Sequence, residues 1–264
     1  MNAGTYTETQ QCQLAVGVSI EGDGTTSLLK NTMTTLFAPF ILLRSAQGTM
    51  GNQHVSNIKM DGTLSVQQAI QVDGRSNVSI HDITVVDFYE RGVTFTGGLN
   101  APLTTYATGN TFYNNNVSNS GYNNGTGYGN LNIGGQDGIL IHDNTLTQNS
   151  RPEGENGWPI KYIDEGHLKN IKIYNNTLIK NMMTGLSNYR DWPFVMELFN
   201  LEGGNEIYNN TAIGGGIDLV FMTKGASTYS VWVHDNDISV PTLPVATQMG
   251  VTLENMEAPF APDI

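Results

Sequence analysis

Cysteine is nearly missing from this chain: Cys12 is the one thiol in 264 residues, which excludes an intrachain disulfide framework. Charge is scarce as well. Charged residues make up 14% of the sequence, with 12 Lys and Arg against 24 Asp and Glu, for a formal net charge of -12. Nucleic-acid backbones are bound by clustered basic side chains, so this deficit argues against such a partner. An acidic polymer is an awkward ligand too, unless a cation or a local basic patch intervenes. Long apolar runs are absent. The stretch Leu36 to Leu43 holds Pro39 and falls short of the roughly 18 residues that span a bilayer, so no membrane partner is expected. No secretory signal opens the chain at Met1. Asn2-Ala3-Gly4-Thr5-Tyr6 reads as a turn running straight into a strand. The expectation is a mature secreted or extracellular segment, with a cytoplasmic or phage-encoded protein as the alternative.

What is abundant is asparagine, about one residue in nine, and a phrase that returns along the chain. Ile141-His142-Asp143-Asn144-Thr145-Leu146 recurs as Ile173-Tyr174-Asn175-Asn176-Thr177-Leu178, as Ile207-Tyr208-Asn209-Asn210-Thr211-Ala212 and as Val233-His234-Asp235-Asn236-Asp237-Ile238. Looser copies begin at Phe112 and Ile80. The opening apolar residues Ile80, Phe112, Ile141, Ile173, Ile207 and Val233 are separated by 32, 29, 32, 34 and 26 residues. Met60, with Val18 and Ile20, reads as the mark of earlier coils. Repeats of this length mean stacked supersecondary units. The units are short and rich in Gly, Asn and Thr. They alternate with a period of two, as in Ile171-Lys172-Ile173-Tyr174, and lack the 3.6-residue helical period.

Stacked parallel strands would bring Asn115, Asn144, Asn176, Asn210 and Asn236 into one file, each amide bonding its neighbours above and below. Asn also tolerates the left-handed backbone of a sharp turn. The preceding file, His81, Tyr113, His142, Tyr174, Tyr208 and His234, reads as an aromatic stack. Free exchange of His for Tyr there argues against metal ligation.

The opening Ala3-Gly4-Thr5-Tyr6, the segment Val18-Ser19-Ile20-Glu21-Gly22-Asp23-Gly24 and the Ile-Tyr-Asn-Asn-Thr coils together resemble right-handed parallel β-helix proteins of the pectate-lyase-like superfamily. The resemblance spans about residues 3 to 240. It implies an all-β, single-stranded right-handed parallel β-helix (a solenoid) over residues 1–240, with residues 241–264 as a tail packing on or capping it. It also implies a polysaccharide or oligosaccharide partner. The superfamily holds polysaccharide lyases, glycoside hydrolases, uronan epimerases, phage tailspikes and adhesins, and fold does not choose among them. The Gly-His-Gly of polygalacturonases, the Arg-x-Pro-x-x-Arg of pectate lyases and the Asp-Pro-His-Glu of alginate epimerases are all missing. No catalytic residue carries over by motif.

Candidate chemistry gathers between residues 141 and 223. Insertions at Ser120 to Asp137, Ser150 to Gly157 and Met182 to Asp191 would wall one side of the coil, where repeat proteins often bind ligands. Trp158 and Trp192 precede their markers by the same interval, so an offset of 34 would stack them as a sugar platform or as a packing column. Glu197 interrupts the apolar run Phe194 to Phe199 and suits a general acid if partly buried. Lys161, on the neighbouring coil and the same face, is its expected ion-pair partner. Asp164, Arg190 and His167 complete the catalytic candidates. Tyr162, Tyr189, Asp191 and Asp218 join the two tryptophans as substrate-binding candidates. Asp218 follows Gly214-Gly215-Gly216, where it faces either a ligand or a turn. Two carboxylates would serve a hydrolase. A base such as Lys161, Tyr189 or His167, with Arg190 or a cation to hold charge, would serve a lyase. No cofactor follows from these residues, and Ca2+ is the ion such a site could recruit. The rival class is a non-catalytic adhesin, tailspike-like or binding module, with self-association through solenoid ends or apolar outer patches.

Overall fold

A computed structural model describes residues 1–33, 38–98, 106–121, 128–149, 157–163, 166–181, 194–221, 230–240 and 250–255, and the fold is given for these. Every pairing between their strands is parallel, and each winding of the chain lays one strand on the equivalent strand of the winding before it. This is a single-stranded parallel β-helix. The right-handed sense is that of parallel strand crossovers in general.

Three faces make up a winding. The first is a nine-stranded sheet that includes Lys59–Asp61, Thr84–Val86, Asn116–Ser118, Thr145–Gln148, Thr177–Lys180, Thr211–Ile213 and Asp237–Ser239. The second carries the marker strands Thr111–Tyr113, Leu140–His142, Lys172–Tyr174, Asn205–Tyr208 and Val231–His234. The third holds Arg91–Thr96, Gly129–Ile133, Trp158–Tyr162, Phe194–Phe199, Gly216–Phe221 and Val251–Asn255. In the early windings the long strands Pro39–Ser56 and Gln68–His81 run through both the third and second faces. Later windings break there into a corner, lined by the short strands Ala107–Thr108, Gln136–Asp137 and Leu168–Lys169.

Alternation fills the interior. Ile20, Val55, Ile80, Phe112, Ile141, Ile173, Ile207 and Val233 stand in one inward file. Leu29, Met60, Val85, Val117, Leu146, Leu178, Ala212 and Ile238 form the file of the first face. Met60 therefore does not mark the coil before Ile80; Val55 does. The segment Ser120 to Asp137 is not one insertion either, because it contains the strand Gly129–Ile133 of the third face. Val251–Asn255 pairs with Gly216–Phe221, so strands of the solenoid continue past residue 240. The rest of the expected tail lies outside the described residues.

The turn between the second and first faces divides two tasks between neighbouring residues. The left-handed backbone falls on Asp82, Asn114, Asp143, Asn175, Asn209 and Asp235, with φ from 51 to 56. Short polar side chains are the ones that tolerate it. The next residue forms the amide file. Nδ2 donates to the following Oδ1 at 3.0 Å from Asn115 to Asn144, and at 2.9 Å from Asn144 to Asn176, Asn176 to Asn210 and Asn210 to Asn236. The same oxygens accept the backbone N–H groups of Asn115, Asn144, Asn176 and Asn210. Outside the file, the rings of His81, Tyr113, His142, Tyr174, Tyr208 and His234 stack at 4.8–5.2 Å.

Removing one buried amide leaves several groups unpaired. Asn176→Ala removes the acceptor of the Asn144 backbone N–H and the donor to the Ile141 carbonyl, and leaves the Asn144 amide only the Phe112 carbonyl. Thermal unfolding should show a loss of about 3 kcal/mol. Asn149→Ala, in an exposed amide file with Asn119 and Asn181, should cost no more than about 0.5 kcal/mol. Equal losses would refute the assignment.

Candidate functional site

The third face positions the site. Its inward residues Leu131, Ile160, Met196 and Ile217 lie in register, so the residues after them point away from the core. That outward file runs Gln71, Thr94, Asn132, Lys161, Glu197, Asp218, Thr252. Three ionisable side chains therefore occupy three consecutive windings, about 4.8 Å apart along the axis. The two carboxylates are buried, Glu197 5% exposed and Asp218 0%, and Lys161 keeps 16% of its side-chain surface. The Lys161 ammonium contacts the Glu197 carboxylate directly. It also lies 4.4 Å from the centre of the Trp158 ring and 5.1 Å from that of Phe199.

Burial pushes the Lys161 ammonium down to about 8, against the pull of the Asp218 carboxylate. A second ammonium, that of Lys180, lies 4.6 Å from the centre of the same Trp158 ring.

Lys161 and Glu197 do meet, through a different register from the expected one. Lys161 is laid directly on Glu197 and Ile160 on Met196, an interval of 36 residues and not 34. The offset that would align Trp158 with Trp192 is therefore not the register of this face. Trp158 is 7% exposed, with the Lys180 ammonium 4.6 Å from its ring centre, and packs as a buried residue, not a platform. Tyr162 points inward. Its hydroxyl donates to the Gly166 carbonyl at 3.0 Å and accepts from the Asn200 amide at 3.0 Å, so it braces the corner and offers no sugar contact. His167 is fully buried beside that corner, away from the outward file of Lys161, Glu197 and Asp218. Asp218 stands within the strand Gly216–Phe221, not in a turn. Asp164, Tyr189, Arg190, Asp191 and Trp192 lie outside the described residues. Among the described residues no three His, Cys, Asp or Glu side chains are grouped to hold a metal ion.

Sequence reasoning missed Lys180, and missed a second group on the corner next to this face: Tyr106, Asp137, Lys169 and Glu202. Their signal is positional. They become neighbours only once the corner strands are put in register.

No family model matches the chain, and no curated protein matches it. Solved structures do. A tailspike protein of Acinetobacter baumannii bacteriophage Fri1, a capsular polysaccharide depolymerase, is 11% identical with a TM-score of 0.38. That match covers 89% of this chain and 51% of the other, so this chain spans about half the tailspike's length. An alginate lyase from Paenibacillus sp. str. FPU-7 is 13% identical with a TM-score of 0.42, over 91% of both chains. The A-module of a mannuronan C-5 epimerase from Azotobacter vinelandii is 12% identical with a TM-score of 0.32, over 96% of this chain and 89% of that one. Likeness at this level transfers no residue, and the site is read from its own geometry.

The Lys161 amine gives a pH signature. In the unfolded chain it holds its proton to about 10.4, in the folded protein only to about 8. Between those values the unfolded state binds more protons, so stability should rise with pH, by at most about 1.4 kcal/mol per unit. Below pH 8 the full cost of the buried ammonium is present. Denaturant unfolding from pH 7 to 10 should show this rise, and Lys161→Met should flatten it. A parent protein whose stability falls over that range contradicts the assignment.

Proposed function

We propose that this chain is a polysaccharide-cleaving β-helix whose proton-transfer centre is Lys161, Glu197 and Asp218. The observation that supports this is three ionisable side chains on consecutive outward positions yet drawn out of water: Glu197 is 5% exposed, Asp218 0%, and the Lys161 ammonium touches Glu197.

Glycoside hydrolysis suits the arrangement best. Its two carboxyl groups stand about 5 Å apart when configuration is retained and roughly 6.5–9.5 Å apart when it is inverted. Glu197 and Asp218 sit on adjacent rungs, whose backbones are about 4.8 Å apart, which favours retention. Glu197 touches a cation, and a cation favours the ionised carboxylate. That moves Glu197 from the general-acid role expected of it to the nucleophile that attacks the anomeric carbon. Asp218 then delivers the proton to the departing glycosidic oxygen, and later takes one from the water that releases the sugar. The net negative charge of the chain favours a neutral glycan over a uronate. Arg190 and Asp164 remain catalytic candidates from the sequence, and Tyr189, Asp191 and Trp192 candidates for holding substrate.

A second reading has its own observation. The low exposure of Glu197 and Asp218 also suits a static brace in a non-catalytic polysaccharide-binding or tailspike-like module.

A panel of neutral and uronate polysaccharides, assayed for both reducing ends and unsaturated products, separates these. Reducing ends alone are expected, with Glu197→Gln and Asp218→Asn each lowering the rate at least about 100-fold. Unsaturated product that depends on Lys161 would assign elimination, with the amine as base. Inactivity on every substrate with binding retained would leave the module.

A further inference from the structure

We propose that Tyr106, with Asp137, Lys169 and Glu202, forms a second sugar-binding site on the corner beside the third face. The proposal rests on the reading that the ligand is a glycan, and it concerns binding alone.

The corner strands place the group. Thr108, Asp137 and Lys169 are in register on successive windings and point outward, while Ala107, Gln136 and Leu168 fill the core behind them. Leu168 bridges to Leu201, which puts Glu202 next in the outward file. Tyr106 immediately precedes Ala107, yet its hydroxyl donates to the Glu202 carboxylate three windings away. The side chain therefore runs along the axis, across Asp137 and Lys169. The Lys169 ammonium lies over one face of the ring, 5.9 Å from its centre. It also sits 3.9 Å from the Asp137 carboxylate, which accepts from the Asn170 amide at 2.7 Å. Asp137 and Lys169 keep 29% and 42% of their side-chain surface exposed.

This is the chemistry of a sugar subsite. The Tyr106 ring is half-buried with the Lys169 ammonium over it, and its exposed part offers an apolar surface to the C–H face of a pyranose. Around its edge stand two carboxylates and an ammonium that accept from and donate to hydroxyl groups. Small ligands are recognised in just this way, by an apolar surface with a few placed polar groups. Burial, and then the bond to Glu202, raise the phenol well above its ordinary pKa. It stays protonated and acts as a donor, not as a base. Two carboxylates to one ammonium favour a neutral sugar here. The placement is also consistent with a role in the same activity. Lys161 and Lys169 lie on one winding, Glu197 and Glu202 on the next, so a chain crossing these two windings would meet both groups.

Native gels cast with xylan, glucomannan or alginate, and a gel with none, test the proposal on the full chain. Retardation is expected in a neutral gel and not in alginate. Tyr106→Ala should weaken it about tenfold, while Tyr106→Phe, which keeps the ring and loses the bond to Glu202, should stay within about threefold. Lys172→Ala, on an open surface outside both groups, should be retarded like the parent. Thermal melts of each variant exclude unfolding as the cause. A parent that is not retarded in either neutral gel, or a Tyr106→Ala variant retarded as strongly as the parent, would overturn the proposal.

Discussion

Vertical register is the constraint on which everything else depends. A single winding of this chain has no core: its apolar residues are buried only because equivalent residues lie above and below. A slip of one residue would turn every inward side chain outward. The amide file from Asn115 to Asn236 fixes the register at one corner, since each Oδ1 binds both a side chain and a backbone N–H of its neighbour. The left-handed residue just before it sets the turn, so that the amide arrives in place.

Register also dictates how charge can be arranged. Residues at equivalent outward positions face each other about 4.8 Å apart, so like charges would repel along every file. The chain meets this by alternating sign. Between the winding of residues 158–174 and the next, Lys161 faces Glu197, Lys169 faces Glu202 and Lys172 faces Glu206. Lys172 and Glu206 pair at 2.9 Å on an open surface, where such a contact adds little to stability. The Lys161–Glu197 pair obeys the same rule in a buried setting, and only there does the electrostatics become costly enough to matter.

The limits of the sequence follow from the same geometry. Intervals between the marker residues equal the intervals across the amide file, 32, 29, 32, 34 and 26, because both sit on one side of a turn of fixed length. The third face is reached through a corner of variable length. Twelve positions separate Lys161 from Ile173, but ten separate Glu197 from Ile207, and the register there becomes 36. An offset read from the markers was therefore not portable to the tryptophans. It placed Lys161 on the correct face, since a difference of two preserves parity, and so the partnership with Glu197 was legible. Tyr162, expected at the substrate, turns inward, which was hidden for another reason: aromatic identity does not reveal whether a ring points into or out of a winding. Tyr106 was not legible at all, because its partner Glu202 is 96 residues away and adjacent only across stacked corners.

Position and burial disagree along the outward file of the third face. Alternation sends Lys161, Glu197 and Asp218 outward, where Lys169 and Lys172 remain open to solvent at the equivalent positions of their own faces. The three are nevertheless withdrawn from water. A charge at an outward, withdrawn position costs desolvation energy that an apolar residue there would avoid. Glu197 and Asp218, withdrawn on adjacent rungs beside an amine whose proton is loosely held, depart from the open charges of the other faces. Departures of this kind are where proton-transfer chemistry is found, because they hold groups in protonation states that water would not allow.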